Sequence, residues 1–240
     1  MKLVLFALYF AAFGVYACNT DLGTGKLKGY IDAPKCWRGA FDLAPDFFAA
    51  APYRRQLTIR VQRGSDAYVN SDGVSILIDD VDAIRGSLGQ AMRVGLSPEV
   101  TPPGVLMQPE LSPPLVHLSL YLQRTCRTEN VSLYAVSQVR LGDDGNCSSA
   151  PIGTREENCD PSKVTAPTGK STMVFRSLFN NDTTSTKESE LLSDAEVDVY
   201  LADPREACPG ANVPPPPCRG HLTGNFRFLF ERGKPAQAFP

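Results

Sequence analysis

The 240-residue sequence predicts an all-β protein: an antiparallel β-sandwich with long disulfide-stapled loops and little helix. Several short segments place an apolar residue at every second position, the period of a half-buried strand. The 19 glycines and 20 prolines indicate many turns and few long helices. Seven cysteines follow an apolar start, which points to a disulfide-bonded protein of an oxidising compartment.

Seven segments are predicted to be strands. The clearest alternation runs from Val116 to Leu122, where apolar residues alternate with His117, Ser119 and Tyr121. The predicted strands cover residues 57–61, 74–78, 116–122, 131–139, 173–179, 197–201 and 226–230. Turn residues separate them, as expected for strands paired by short connections.

Two short helices are expected. The segment from Asp80 to Arg85 begins with carboxylates, which suit the positive end of a helix, and Gly86 follows as a stop. A second helix is expected from Asp42 to Ala51, with Pro45 near its start. Both are short, so strands dominate the predicted fold.

Charge and length limit the classes of function. Lys and Arg together number 24 and Asp and Glu 26, so no overall field favours nucleic acid or an anionic membrane surface. A chain of this length can bury enough surface to form a single hydrophobic core.

Two segments are expected to lie on the surface. The proline-rich segment 97–114 is expected to run extended, and 142–170 is expected to form a surface loop.

The first residues have the layout of a signal peptide. Lys2 precedes an apolar run over residues 3–16, and small Ala17 precedes Cys18. The run is shorter than the roughly 20 apolar residues that cross a bilayer. We therefore expect a signal peptide over 1–17, a flexible tether over 18–29 and one domain over 30–240.

The string Val15-Tyr16-Ala17-Cys18 resembles the lipobox of bacterial lipoproteins. The resemblance implies cleavage before Cys18, lipid on its sulfur and attachment to the membrane through that lipid. Asn19 in place of Asp resembles the pattern that directs such proteins to the outer membrane, so the implied location is the cell envelope. An ordinary secretory signal that ends near a cysteine is the alternative.

Removing Cys18 from the count leaves six cysteines, enough for three disulfides with fifteen possible connectivities. They are Cys36, Cys126, Cys147, Cys159, Cys208 and Cys218. Short loop spacing favours the pairs Cys147–Cys159 and Cys208–Cys218, which leaves Cys36–Cys126 by elimination. No C-x-x-C pair is present to suggest a zinc site.

Clustered carboxylates are the candidate metal ligands. Asp79, Asp80 and Asp82 follow a predicted strand and could offer oxygen ligands to calcium. Asp143 and Asp144 form a second acidic turn. Neither group has EF-hand spacing, and carboxylates at a helix start or a turn are the interpretation that the pattern favours.

No catalytic residue and no cofactor is predicted. The chain has no G-x-S-x-G string, and neither His117 nor His221 has an evident partner set. The string Gly169-Lys170-Ser171-Thr172 ends like a phosphate-binding loop, but Val164 stands where that motif needs glycine. The pattern therefore favours a strand entry before Met173.

The sequence thus favours an envelope lipoprotein that acts as a non-catalytic binding or assembly module with an envelope protein or glycan as partner. Aromatic residues on sheet faces could hold a sugar; the candidates are Tyr30, Trp37, Phe41, Phe47, Phe48, Tyr121, Tyr134 and Tyr200. An envelope hydrolase that uses dispersed carboxylates is the alternative.

Overall fold

A computed structural model describes residues 23–64, 70–97, 114–129, 131–151, 153–209 and 213–231. The predicted signal peptide, Cys18 and most of the proline-rich segment 97–114 lie outside these ranges. Within them, no helix is both long and apolar enough to span a bilayer.

The described chain is built mainly from strands. These are β1 (Gly23–Ala33), β2 (Trp37–Leu43), β3 (Phe47–Tyr53), β4 (Gln56–Arg63), β5 (Asp72–Ile78), β6 (Ala91–Arg93), β7 (Val116–Leu122), β8 (Ser132–Ala135), β9 (Gln138–Arg140), β10 (Thr168–Lys170), β11 (Thr172–Ser177), β12 (Leu192–Ala202) and β13 (Gly220–Leu229). The helices α1 (Val81–Arg85), α2 (Arg155–Asn158) and α3 (Glu188–Leu191) are single turns, and two 3₁₀ turns cover Pro161–Thr165 and Pro204–Glu206.

Eleven strands form one antiparallel sheet in the order β2-β1-β13-β12-β8-β7-β5-β4-β3. The remaining two, β11 and β6, extend from β12, which is long enough to pair with β11 along its first half and with β8 at its end. Strands β9 and β10 form a separate ladder. The predicted all-β, antiparallel fold with little helix is confirmed.

The sheet turns back on itself around one apolar core. Alternate residues of the long strands are fully buried, including Ile59 in β4, Ile76 in β5 and Val199 in β12. Phe48 in β3 stacks on Phe228 in β13 with ring centroids 5.7 Å apart, although these strands lie far apart in the sheet. The period-two apolar positions therefore face one another across a shared interior.

The expected tether is wrong from Gly23 onward, because this segment is the strand β1, paired with β2 on one side and β13 on the other. Its glycines permit close backbone approach. A β-carbon on Gly29 would overlap the carbonyl oxygen of His221, and one on Gly224 of β13, where φ is +151°, would overlap that of Lys26. The polar, glycine-rich sequence of β1 therefore belongs to a strand whose backbone packs closely against β13.

The expected helix from Asp42 to Ala51 is also wrong, because the segment divides between β2 and β3. Tertiary pairing with β1 and β4 overrides the local helix signals. The helix after Asp80 is confirmed. The Asp80 side chain caps α1 by accepting a hydrogen bond from the backbone N–H of Ala83 at 3.1 Å.

All six described cysteines are paired, but only Cys36–Cys126 follows the predicted connectivity. The other bonds are Cys147–Cys218 and Cys159–Cys208, with Cα atoms 5.2 and 5.5 Å apart. The prediction was wrong because loop length ignores tertiary contacts. Arg140 in β9 donates its backbone N–H to the carbonyl of Pro216 and so draws the second cysteine-bearing segment alongside the first.

The residues 142–170 are consequently held by a different segment of the chain. Two disulfides fasten them to residues 203–219, and a small apolar cluster, including Val139, Leu141 and Cys218, lies beneath them. We call these paired segments, 142–170 and 203–219, the stapled layer.

Replacing Cys147 and Cys218 together by serine is expected to lower the free energy of unfolding by about 2–5 kcal/mol, because the bond closes a long loop. Urea unfolding of the purified chain measures the change. Peptide mapping without reductant should recover the linked pairs 147–218 and 159–208. A peptide that links Cys147 to Cys159 would contradict this connectivity.

Candidate functional site

A depression of about 250 Å³ lies on the outer face of β4, β5, β7 and β8. Hydroxyl groups from Thr58, Ser75, Ser119 and Tyr134 line it, so we call it the hydroxyl pocket. Residues 95–97, which follow β6, form part of its rim together with His117. The pocket is small and mixes polar with apolar surface, as ligand sites commonly do.

The strand register explains why the surface is concave here. Ser75 lies directly opposite Ser119, which in turn lies opposite Tyr134. Two small side chains side by side leave a gap that the larger Tyr134 and His117 border. These positions alternate with the buried Ile76 and therefore point away from the core.

His117 is buried, and both of its ring nitrogens face oxygen atoms. Nδ1 lies 3.0 Å from the carbonyl oxygen of Gly95, and Nε2 lies 2.9 Å from Oδ2 of Asp79. The other oxygen of Asp79 accepts a hydrogen bond from Nε2 of Gln56 at 3.3 Å. A carbonyl oxygen only accepts, so Nδ1 is the donor to Gly95, while Nε2 lies within hydrogen-bond distance of the Asp79 carboxylate.

This arrangement leaves His117 without a nitrogen to accept a proton from a serine hydroxyl. A serine hydrolase needs one ring nitrogen directed at its nucleophile while the other is held by the acid. Ser75 and Ser119 share the pocket with the ring, yet the ring is bound elsewhere on both sides. His117 therefore fixes the rim of the pocket by joining β7 to the segment at Gly95.

The structure separates the three candidate calcium ligands. Asp79 holds His117, Asp80 caps α1 and forms an ion pair with Arg55, and Asp82 lies exposed in the first turn of α1. No group of three or more metal-ligating side chains occurs among the described residues. Asp80 thus serves the helix start, the role that the sequence favoured for these carboxylates, whereas the contact of Asp79 with the ring of His117 was not predicted.

The second acidic turn is held by its own hydrogen bonds. The carboxylate of Asp144 accepts hydrogen bonds from the hydroxyl of Ser149 and from the backbone N–H of Asn146, the latter at 2.9 Å. These bonds lower the pKa of Asp144 to about 2. Gly145 adopts a φ of +77° between them, so the group forms a tight turn.

The candidate aromatic platform is partly covered. Tyr200 stacks on His221 with ring centroids 4.0 Å apart, and the backbone of Gly169 lies so close that a β-carbon there would meet the tyrosine ring at 2.7 Å. Burial raises the pKa of Tyr200. His221 also lies 2.7 Å from Asp198.

The glycine of the incomplete phosphate-loop string therefore packs on an aromatic ring. Ser171, two residues after this glycine, accepts a hydrogen bond on its hydroxyl oxygen from the backbone N–H of Tyr200 at 2.9 Å. Strand β11 begins at the residue after Ser171. The expected strand entry before Met173 is confirmed, and the string anchors the stapled layer to β12.

Sequence patterns did not single out Arg140, whose side chain is buried. Its guanidinium donates to the backbone oxygen of Asn158 at 2.8 Å and to its side-chain oxygen at 2.7 Å. Burial lowers the pKa of Arg140. A single arginine among strand residues gives no sequence signal for this role, which depends on the fold of the stapled layer.

The pocket serines were also missed, since each looked like an ordinary outward residue of an alternating strand. A usable signal would have been small hydroxyl residues at one register position of neighbouring strands, but the register is not known before the fold.

The sequence matches no protein-family model, no curated protein and no solved structure.

Replacing His117 by leucine is expected to lower the free energy of unfolding by about 1–3 kcal/mol, because Asp79 and the Gly95 carbonyl lose their partner inside the fold. Urea unfolding measures the loss. The matched control is His221→Leu, whose partner Asp198 is more than half exposed, and there we expect roughly 0.5 kcal/mol or less. Equal losses in the two variants would contradict the assigned role.

Proposed function

We propose that this chain is a bacterial envelope lipoprotein whose body is a non-catalytic binding module with the hydroxyl pocket as its ligand site. The observation that carries the binding proposal is a concave, hydroxyl-lined surface on which both ring nitrogens of His117 are engaged, by Asp79 and by Gly95. Such a surface can hold a ligand but offers no activated nucleophile or free base.

The pocket lining indicates a small uncharged ligand rich in hydroxyl groups, such as one unit of a neutral glycan. Ser75, Ser119 and Tyr134 each can donate and accept one or more hydrogen bonds, which matches a sugar hydroxyl. Leu77 and Leu96 add apolar surface for the carbon face of a ring. Among the described residues that line the pocket, none is Asp or Glu, so nothing there favours the hydrolase alternative.

The envelope location is proposed from the lipobox-like Val15-Tyr16-Ala17-Cys18 and Asn19. The three disulfides support an oxidising compartment, since such bonds persist there and are rare in a reducing cytosol. Strand β1 begins at Gly23, five residues after the proposed lipid site, so the body would sit close to the membrane that holds it.

Binding is tested by thermal unfolding with a panel of neutral mono- and disaccharides at millimolar concentration. A ligand at 100 times its Kd should stabilise the fold by about 2.7 kcal/mol. Ser75→Leu fills the pocket and should weaken that binding at least tenfold, whereas Ser148→Leu, an exposed position in the stapled layer, should not. Absence of any shift, or equal binding by both variants, would refute the ligand site.

Replacing Cys18 by serine should release the protein from the membrane, because the lipid on sulfur provides the attachment. Centrifugation of cell lysates and intact mass of the purified protein measure this. The native chain should be heavier than residues 18–240 by the mass of the acyl groups. A Cys18→Ser variant that stays in the membrane pellet, or a native chain with an unmodified Cys18, would contradict the lipoprotein proposal.

A further inference from the structure

A second depression, of about 570 Å³, lies at the far end of β1 and β7 and shares no residue with the hydroxyl pocket. The turn at Lys35–Cys36 forms one side and residues 124–128 form the other. The Cys36–Cys126 disulfide joins the two sides, with Cα atoms 5.6 Å apart. We call this feature the basic basin.

Three cations line the basic basin: Lys35, Arg124 and Arg127. Among the described residues, none of their side chains forms an ion pair, and no Asp or Glu lines the basin; Glu129 follows just outside it. Other arginines of the chain do lie within 4.0 Å of a carboxylate, namely Arg38, Arg55, Arg176, Arg205 and Arg219. Three cations without an ion pair among the described residues therefore share one depression, on a chain whose net charge is −2.

Clustered cations repel one another, and a bound anion removes that repulsion. Two guanidinium groups offer forked N–H donors that match the oxygens of phosphate or sulfate, and the lysine ammonium adds a further donor. The hydroxyl of Thr128 is a third type of donor at the same surface. We infer that the basic basin binds a phosphate or sulfate ester group.

The backbone of the basin is held in place before any ligand arrives. The buried carboxylate of Asp72 accepts hydrogen bonds at 3.0 Å from the backbone N–H groups of Arg124 and Thr125, and the Thr125 hydroxyl donates to its other oxygen at 2.7 Å. Asp72 is thus occupied by this backbone and fixes the segment that carries both arginines. Rigid placement lowers the entropy lost on binding.

Lys35 has a φ of +66°, the left-handed region that side chains with a β-carbon rarely adopt. The turn is closed by the backbone N–H of Cys36, which donates to the carbonyl of Ala33 at 3.1 Å. Glycine would adopt this backbone more easily, yet a cationic residue stands there, on the rim of the basin. The position is consistent with a ligand contact that offsets the local strain.

The position of the basic basin favours a soluble or polymeric ester over a lipid headgroup. Strand β1 is eleven residues long, which separates its ends by roughly 33 Å. The proposed lipid site, Cys18, precedes the first residue of β1 by five positions in the sequence, whereas the basin lies beyond the last residue of β1. The preference for a soluble or polymeric ester over a lipid headgroup rests on the proposed lipid anchor at Cys18. The anion site itself does not depend on that anchor.

Calorimetric titration with inorganic phosphate and with sulfate, at constant ionic strength set by chloride, tests the site. The disulfide-intact chain should bind one of them saturably with millimolar or tighter Kd. The double variant R124Q/R127Q should weaken binding at least tenfold. The matched control K163Q/K170Q removes two exposed cations from the stapled layer and should stay within twofold.

Lys35→Gly separates binding from folding, because it relieves the left-handed backbone while removing one charge. We expect an unchanged or higher melting temperature together with at least threefold weaker phosphate binding. No saturable binding of either anion and none to phosphatidylglycerol vesicles, or an equal loss in K163Q/K170Q, would overturn the site.

Vesicles of phosphatidylglycerol and of phosphatidylcholine distinguish the two sources of the anionic group. Binding to phosphatidylglycerol alone, abolished by R124Q/R127Q while free phosphate and sulfate fail to bind, would support the anion site and overturn its assignment to a soluble ester. Release of the chain from membranes by Cys18→Ser is read separately, so failure of the anchor does not affect this result.

Discussion

The longest ladders join β12 to β13 and β13 to β1, through ten and nine residue pairs. Strands β2, β8 and β11 pair directly with these three strands, and β7, β5, β4 and β3 follow from β8. Their inner face supplies apolar residues to the main core, and their outer face carries the stapled layer. The close approach at Gly29 and Gly224 sets how tightly β1 and β13 can pair, a backbone geometry that favours glycine.

Both candidate binding surfaces arise where the regular alternation of the sheet is locally modified. The hydroxyl pocket forms because Ser75 and Ser119 meet at one register position, between larger neighbours. The basic basin forms where two turns that lie far apart in sequence are joined by Cys36–Cys126. In each case the sheet provides a rigid base, and the side chains at its ends or on its outer face provide the chemistry.

Several charged residues in the described part of the chain have structural partners. Asp79 fixes His117, Asp72 fixes residues 124–125, and Arg219 is buried in ion pairs with Glu206 and Asp32. The hydrogen bonds of Glu206 raise the pKa of Arg219. The cations of the basic basin, by contrast, form no ion pair with any residue that the structure describes.

The sequence by itself determined the fold class and most strands, because period-two burial is a local pattern that residues such as Ile59, Ile76 and Val199 follow in any antiparallel sheet. It also determined the helix start at Asp80, since capping involves neighbouring residues. Only the tertiary structure decided that 42–51 forms strands, that Cys147 meets Cys218, and that small hydroxyls align into a pocket. Those outcomes depend on strand order and register, which are set by contacts between residues distant in sequence and leave no periodic trace along the chain.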